Sequence, residues 1–164
     1  MRVLMVGDVV GRPGRRAAAA LLPSLRRELG VDLVLANAEN AAGGFGLTLE
    51  TAQEVLRAGA DILTSGNHLW DQKEFVPHLA EGGIPILRPL NYPPGAPGRG
   101  SLRWGDTLVV NLQGRTFMEP LDCPFRALDA LLGGLSERPK VVLVDFHAEA
   151  TSEKVAMGWY LDGR

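Results

Sequence analysis

Cysteine is nearly absent from this sequence, because Cys123 is the only one among 164 residues. A single cysteine forms no internal disulfide and supplies no cysteine-based zinc site, which excludes disulfide-rich secreted scaffolds and zinc-finger modules. We therefore expect a reducing compartment, the cytoplasm. The apolar run MRVLMV is too short for the apolar region of a signal peptide, and no run approaches the roughly 18 apolar residues of a membrane span.

The sequence also lacks an excess of charge of one sign. Lys and Arg number 17 against 19 for Asp and Glu, which gives a net charge of −2. Without a global basic field, we expect no binding to duplex nucleic acid or to anionic membranes. A nucleotide can still enter as a small substrate, and assembly into a homo-oligomer stays open.

What is present is an ordinary globular composition, with 46% hydrophobic and 22% charged residues. A chain of this length fits one domain, residues 1–164, which buries roughly 70% of its unfolded surface. Apolar runs rich in Val, Leu and Ile, most of them continuous, predict strands that are covered on both faces. They lie at residues 2–7, 32–36, 61–64, 84–87, 107–112 and 141–146.

Helical patterns alternate with these runs, at residues 14–29, 48–59, 72–81, 122–132 and 152–161. Pro23 is expected to kink or divide the first helix. The alternation predicts an α/β fold whose first sheet is largely parallel. Residues 88–106 are rich in Pro and Gly and predict a long surface loop.

Side chains that can ligate a metal follow four of the predicted strands. They are Asp8, Asn37 with Glu39 and Asn40, Asn67 with His68, and Asp145 with His147 and Glu149. One such residue alone is more often a helix cap or a turn former, and the stretch TSGNHLWD at 64–71 also fits a tight turn with a cap. Because the carboxyl ends of parallel strands share one edge, we expect the set to converge in one crevice.

Carboxylate, amide and imidazole donors suit a borderline or fairly hard divalent ion such as Fe, Mn, Co or Zn. Two such ions can share a carboxylate and a hydroxide, and together they neutralise charge on a phosphate. Glu39 is the candidate bridge, and Asn67 would bind without adding negative charge. His68 would be free for proton transfer, with Asp71 as its candidate partner.

Six motifs resemble, in this order, those of calcineurin-like metallophosphoesterases, and specifically the YmdB-type bacterial 2′,3′-cyclic-nucleotide phosphodiesterase group. They are GDVVGRPGR, NAENAAGG, TSGNHLWD, NLQGRTFM, DCPF and DFHAEATSEK. The resemblance covers essentially the whole chain. It implies a layered sandwich of β-sheets flanked by helices, and a site with two divalent metal ions, Fe or Mn first and Zn also compatible.

The resemblance also implies a role for each site residue. Asp8 would bind the first metal, Glu39 would bridge both, and Asn40, Asn67 and His147 would bind the second. His68 would protonate the leaving oxygen. Asp8 is followed by Val9 and Val10, whereas the superfamily commonly has Asp-x-His there, and Glu39 replaces its usual bridging Asp; the subgroup shares both departures.

The family completes its site with a Gly-x-His-x-His element downstream of the position of His147, and none follows here. We therefore expect the C-terminal part of the domain to be missing from this sequence. Either the sequence is a shortened version of a longer protein, or the short chain is real and its site incomplete. Without two imidazoles, metal binding by this exact chain would weaken greatly.

The leading hypothesis is a dinuclear metal-dependent phosphodiesterase in which a hydroxide shared by the metals attacks the phosphorus of a cyclic nucleotide or another small phosphodiester. Arg12, Asn91, Tyr92 and Arg115 are candidate substrate contacts. The alternatives are a noncatalytic regulatory module that binds metal or nucleotide, and an α/β scaffold whose edge assembles with another chain. Binding without turnover would identify the first, and size-exclusion behaviour the second.

Overall fold

Two three-stranded sheets organise the chain, and the computed structural model describes all residues, 1–164. One sheet lies in Met1–Ile86, which we call unit 1, and the other in Leu87–Arg164, which we call unit 2. Helices pack on both sheets, so the predicted α/β class is confirmed. The expectation of one domain over residues 1–164 stays a prediction. No helix has the length and apolar character that crossing a membrane requires.

Unit 1 is built around a parallel sheet with the strand order β1-β2-β3, as the sequence predicts. Its central strand reads LVLAN and is buried at every position, because neighbours cover both its edges and both its faces. The elements are β1 (Val3–Val6), α1 (Gly11–Leu29), β2 (Leu33–Asn37), α2 (Leu49–Arg57), β3 (Ile62–Thr64), two 3₁₀ turns (Asn67–Trp70 and Lys73–Phe75) and α3 (Val76–Glu81).

The helix α1 begins three residues earlier than predicted and continues through Pro23, so the predicted division is wrong, while the alternative of a kink stays a prediction. Proline removes the hydrogen bond to the carbonyl four residues before it, here that of Ala19. Both residues lie on the exposed face of α1, where water can satisfy that carbonyl. The helix ends as predicted at Gly30, whose left-handed φ of 59° suits glycine.

The helix α2 begins at a capping box. The side chain of Thr48 accepts a hydrogen bond from the backbone N–H of Thr51, and the Thr51 side chain accepts one in return from the backbone N–H of Thr48. Val55 of this helix is fully buried and packs with Leu22 of α1 and with Leu63 of β3 in the core of unit 1. The two helices therefore cover the sheet that carries the polar strand ends.

Unit 2 contains β4 (Ser101–Trp104), β5 (Thr107–Gln113), α4 (Pro124–Gly133), β6 (Val141–His147) and α5 (Thr151–Leu161). The strand β5 pairs antiparallel with β4 and parallel with β6. Leu108, Val110 and Leu112 of β5 form its core with one residue from each helix, Leu128 and Met157.

One strand prediction and one loop prediction are wrong. Residues 84–87 form only isolated bridges, at Ile86 and Leu87, because Pro85 cannot donate to a ladder. The predicted loop 88–106 instead contains β4, which Gly105 and Asp106 join to β5 in a tight hairpin. The φ of Gly105 is 56°, a conformation that two-residue hairpins require.

The exposed carboxylate of Asp129 links the two helices of unit 2 through hydrogen bonds. Tyr160 of α5 donates a hydrogen bond to Asp129 of α4, and Arg164 donates another at 2.9 Å. The Tyr160 bond first, and then Arg164, hold the pKa of Asp129 below its ordinary value of 3.8.

This lowered pKa predicts a pH dependence of stability. Because the folded pKa lies below the unfolded one, the stabilisation is complete above the unfolded value and is lost as pH falls through the folded value. We expect Asp129→Asn to be slightly less stable than the parent at pH 7 and to show a smaller deficit at about pH 2, below the ordinary carboxyl pKa of 3.8, with a small effect because the pair is exposed. Urea unfolding at both pH values measures this, and a deficit that does not change with pH would contradict it.

Candidate active site

The loops at the carboxyl edge of the sheet in unit 1 are tied to one another by backbone hydrogen bonds. The N–H of Val9 donates to the carbonyl of Asn37 at 2.9 Å, and the N–H of Ala38 donates to the carbonyl of Thr64 at 3.0 Å. These bonds link the segments that follow β1, β2 and β3. Five predicted site residues therefore lie along one edge within unit 1, and we call them the edge cluster: Asp8, Glu39, Asn40, Asn67 and His68.

Asp8 and Asn40 are in direct contact. The amide nitrogen Nδ2 of Asn40 donates to Oδ2 of Asp8 at 2.8 Å. This bond orients the Asn40 amide, whose Oδ1 is buried and has no hydrogen-bond partner. A buried acceptor without a partner is costly, and a cation beside it would remove that cost.

Glu39 is the most deeply buried member of the edge cluster, with an exposed fraction of 0%. Its Oε2 accepts a hydrogen bond from the backbone N–H of His68 at 2.9 Å. Its own backbone N–H donates to Oδ1 of Asn37 at 3.2 Å, so Asn37 shapes the turn after β2. A carboxylate is buried in proteins when hydrogen bonds or a cation compensate its desolvation, and the position of Glu39 fits a metal ligand.

His68 lies in the first 3₁₀ turn, directly after Asn67. Its Nδ1 is 2.7 Å from Oδ2 of Asp71, which confirms the pairing predicted from the sequence. The ring also meets Phe45 edge-on, with ring centroids 5.3 Å apart. Because a carboxylate oxygen of Asp71 can only accept, the pairing favours a proton on Nδ1 of His68 and leaves Nε2 for another partner.

These donors fit divalent metal ions through their mixture of carboxylates and amides. Within residues 1–164, no group of three or more His, Cys, Asp or Glu side chains is arranged so that it could hold a metal ion by itself. The fit instead depends on the two carboxylates of Asp8 and Glu39 and on the free amide oxygen of Asn40, which are hard oxygen donors. The predicted metal roles of the edge cluster stay predictions.

The loop that contains Phe45 and Gly46 supports His68, although sequence patterns did not associate this loop with the site. The backbone carbonyl of Phe45 accepts a hydrogen bond from Nε2 of Gln72 at 3.0 Å. Gly46 has a φ of 77°, and a Cβ there would lie 2.6 Å from Cγ of Gln72 and 3.1 Å from its backbone nitrogen. Only glycine fits this close approach without strain.

We therefore expect Gly46→Ala to destabilise unit 1 by about 1–3 kcal/mol and to displace Phe45 from His68. Gly43→Ala is the matched control, since Gly43 also has a positive φ of 68° but has open space around its Cα. Urea unfolding of both variants separates backbone strain from the close approach. Equal destabilisation by the two substitutions would contradict the importance of the Gln72 contact.

Arg15 is a second residue of unit 1 that sequence patterns do not reveal. Its Nη1 donates to the carbonyl of Ala41, directly after Asn40, and its Nε pairs with Glu54 of α2. Arg15 thus holds the loop of the edge cluster against two helices. No local signal distinguishes it from Arg16, because the contact depends on how α1 packs against α2.

The predicted substrate contacts lie in both units. Arg12 is exposed in the first turn of α1, in unit 1. In unit 2, Tyr92 is half-buried beside a cavity of about 620 Å³, and the exposed Arg115 is held by its backbone N–H, which donates to Glu153 at 3.0 Å. Their substrate contacts stay predictions.

Asn91 and His147 are fixed inside unit 2. The amide of Asn91 donates to the carbonyls of Gln113 and Asp122, both at 2.9 Å, and its Oδ1 accepts from the N–H of Gln113 at 2.9 Å. These bonds use both amide protons and give Asn91 a structural role, and its predicted substrate contact stays a prediction. His147 ends β6, where its carbonyl accepts from Gly114 at 2.8 Å, and its role as a metal ligand stays a prediction.

Comparisons with known proteins identify close relatives. A 2′,3′-cyclic-nucleotide 2′-phosphodiesterase of Bacillus subtilis (strain 168) is 44% identical over 169 residues, which cover 100% of this chain and 63% of that protein. The crystal structure of a hypothetical protein from Thermus thermophilus matches with a TM-score of 0.91 and 52% identity, over 100% of this chain and 64% of that one. The crystal structure of a phosphatase from Mycoplasma pneumoniae matches with a TM-score of 0.89 and 34% identity, over 98% and 60% of the two chains.

The chain thus spans less than two thirds of the length of these relatives. The model of a family described as YmdB-like protein matches residues 4–164, nearly the whole sequence. This match and the 44% identity confirm the resemblance that the motifs indicate. The chain belongs to the YmdB-like protein family.

Proposed function

We propose that this chain is the main part of a metal-dependent phosphodiesterase that hydrolyses cyclic nucleotides or other small phosphodiesters. The observation that carries the proposal is the edge cluster, in which Asn40 contacts Asp8 and the turn of His68 is bonded to Glu39. A relative that is 44% identical is named a 2′,3′-cyclic-nucleotide 2′-phosphodiesterase, which favours this substrate class.

Asp8, Glu39, Asn40 and Asn67 are the proposed ligands within unit 1 for two divalent ions. Their oxygen donors suit Mn or Fe, with Zn also compatible. When bound, such ions supply charge neutralisation at phosphorus and lower the pKa of water. Asp8 and Asn40 hold each other in place through their hydrogen bond, so the two donors are oriented before any metal arrives.

His68 is the proposed general acid for the leaving ribose oxygen. A general acid must keep its ring in a defined orientation and hold its proton at the correct atom. Asp71 and Phe45 restrain the ring from two sides, and the bond from its backbone to Glu39 fixes the turn that carries it. Because Nδ1 faces Asp71, the proton that His68 would donate is one carried on Nε2, and its donation needs no reorganisation of the loop.

Elemental analysis together with a hydrolysis assay tests the proposal. In the protein extended to the length of its relatives, we expect about two divalent ions per chain and, with Mn added, conversion of a 2′,3′-cyclic nucleotide to a nucleoside monophosphate, whereas this chain alone should bind metal more weakly. Metal binding without turnover would overturn the enzyme and favour the noncatalytic module. The absence of both bound metal and turnover would contradict the proposed metal site as well as the enzyme.

A further inference from the structure

A second feature of unit 1 is a groove lined by α1 and α2, which we call the arginine groove. It encloses about 620 Å³, and the charged residues that line it are Arg12, Arg15 and Arg16 of α1 with Glu54 and Arg57 of α2. Four guanidinium groups thus face one carboxylate, in a chain whose net charge is −2. The basic charge of unit 1 is concentrated locally, a pattern that the overall composition conceals.

Three of these arginines are available to a ligand. Arg15 is engaged by Glu54 and by the carbonyl of Ala41. Arg12, Arg16 and Arg57 are exposed, and the structure gives their side chains no hydrogen bond or ion pair. Exposed guanidinium groups without carboxylate partners bind phosphate oxygens well, because their planar N–H donors match them in pairs.

The arginine groove begins at the loop that carries the edge cluster. The N–H of Gly11 donates to the carbonyl of Asn40 at 2.8 Å, and Arg12 follows directly in the first turn of α1. Arg15 contacts the next residue of the same loop, Ala41. A ligand bound at Asp8 and Asn40 can therefore continue along α1 into the groove.

The groove is longer than one nucleotide needs. Its lining runs along α1 from Arg12 to Pro23, a rise of about 16 Å at 1.5 Å per residue. Arg12 and Arg16 lie one turn apart on one face, about 6 Å along the axis. A cyclic mononucleotide has one phosphate, which the edge cluster would hold, so three further cations suit a ligand with phosphates in series.

We propose that the arginine groove binds the phosphate backbone of single-stranded RNA, and that the edge cluster acts on the 2′,3′-cyclic phosphate at the 3′ end of that strand. This inference rests on the proposed function. Such an end exists only on ribose, because the 2′ oxygen must close the ring. The single negative charge of a mononucleotide would leave Arg16 and Arg57 unused.

The chemistry places this reaction after a cleavage of RNA by transesterification. In that cleavage a 2′ oxygen attacks the adjacent phosphorus, and the 5′ oxygen of the next nucleotide leaves with a proton. In the reaction proposed here, the oxygen of water bonds to the cyclic phosphorus and gives up a proton to solvent, one bond from phosphorus to a ribose oxygen breaks, and that oxygen takes a proton from His68, which solvent then replaces. The product is an RNA strand with a terminal phosphate monoester.

Binding of RNA tests the groove without any catalytic step. The probe is a fluorescein-labelled single-stranded RNA of about ten nucleotides with a 3′ hydroxyl, titrated with the full chain, without added metal, at several salt concentrations. Arg16→Gln with Arg57→Gln should weaken binding about tenfold and reduce the salt slope by roughly 1.4, or about 0.7 for each lost phosphate contact. The matched control is Arg27→Gln with Lys154→Gln, which removes two exposed cations outside the groove and should change neither quantity.

Hydrolysis by the same variants separates this inference from the proposed function. The ratio of kcat/KM for RNA ending in a 2′,3′-cyclic phosphate to kcat/KM for the cyclic mononucleotide should be about tenfold lower in the variant with Arg16→Gln and Arg57→Gln than in the parent. If the mononucleotide is hydrolysed and the groove variant binds RNA as tightly as the control variant, the arginine groove does not bind RNA, while the proposed enzyme stands. RNA binding that depends on Arg16 and Arg57 without any hydrolysis would overturn the enzyme and the RNA end as its substrate. Polyglutamate or anionic vesicles that compete as strongly as RNA would overturn RNA as the ligand.

Discussion

Glu39→Gln is expected to lower phosphodiester turnover about 10²-fold or more and to reduce metal content. The amide has nearly the same shape as the carboxylate and can still accept the hydrogen bond from the backbone of His68, so the turn should persist. What it lacks is the negative charge that holds a cation. Charge stabilisation by metals contributes several kcal/mol to catalysis, and each 1.36 kcal/mol is a factor of ten.

Three measurements check this expectation: metal content by elemental analysis, kcat/KM, and the rise in Tm on addition of Mn. A ligand that binds only the folded state raises Tm, so the variant should lose most of that rise. Glu50→Gln is the matched control, because Glu50 is exposed in the first turn of α2. If Glu39→Gln kept its metal and its turnover, the proposed site would be wrong.

His68→Ala should lower kcat by about 10²- to 10⁴-fold while leaving metal content nearly unchanged, since general acids contribute in this range. Alanine keeps the backbone N–H that donates to Glu39, so the proposed metal ligands should stay in place. His78→Ala is the control, because His78 is the other histidine of unit 1 and pairs with Glu81 at 3.3 Å. Equal loss of metal and of turnover would exclude His68 as the acid.

The leaving group gives a second readout for His68. A nitrophenolate leaves without protonation, so the deficit of His68→Ala should shrink when a nitrophenyl phosphodiester replaces the cyclic nucleotide. Asp71→Asn should cause a smaller loss of kcat, because it alters only the partner of Nδ1. A deficit that is identical for both substrates would assign His68 a structural role.

Most of the fold could be predicted because its main strands correspond to short continuous runs of apolar residues. The runs at 32–36 and 61–64 became β2 and β3, and continuous apolar residues identified them as buried strands. The strand β4 was missed because SLRW is short and lies after many Pro and Gly residues. Its pairing depends on β5, which no local pattern could reveal.

The site could be predicted where its members follow strands or lie close in sequence. Asp8, Glu39 and His68 follow strands whose carboxyl ends share an edge, and Asp71 is three residues from His68. Phe45 could not be found in this way, because it meets His68 only through the fold of its loop.

The sequence by itself determined most of the element types, the parallel sheet of unit 1 and the chemical nature of the strand ends, because these depend on residue type and on periods of two to four residues. Only the tertiary structure decided which partners those ends have. The bond from Asn40 to Asp8 joins residues 32 apart, and the Arg15 pair with Glu54 joins residues 39 apart. Contacts at such separations depend on how the helices and strands pack, and this packing also created the arginine groove from residues that individually look like an ordinary solvated surface.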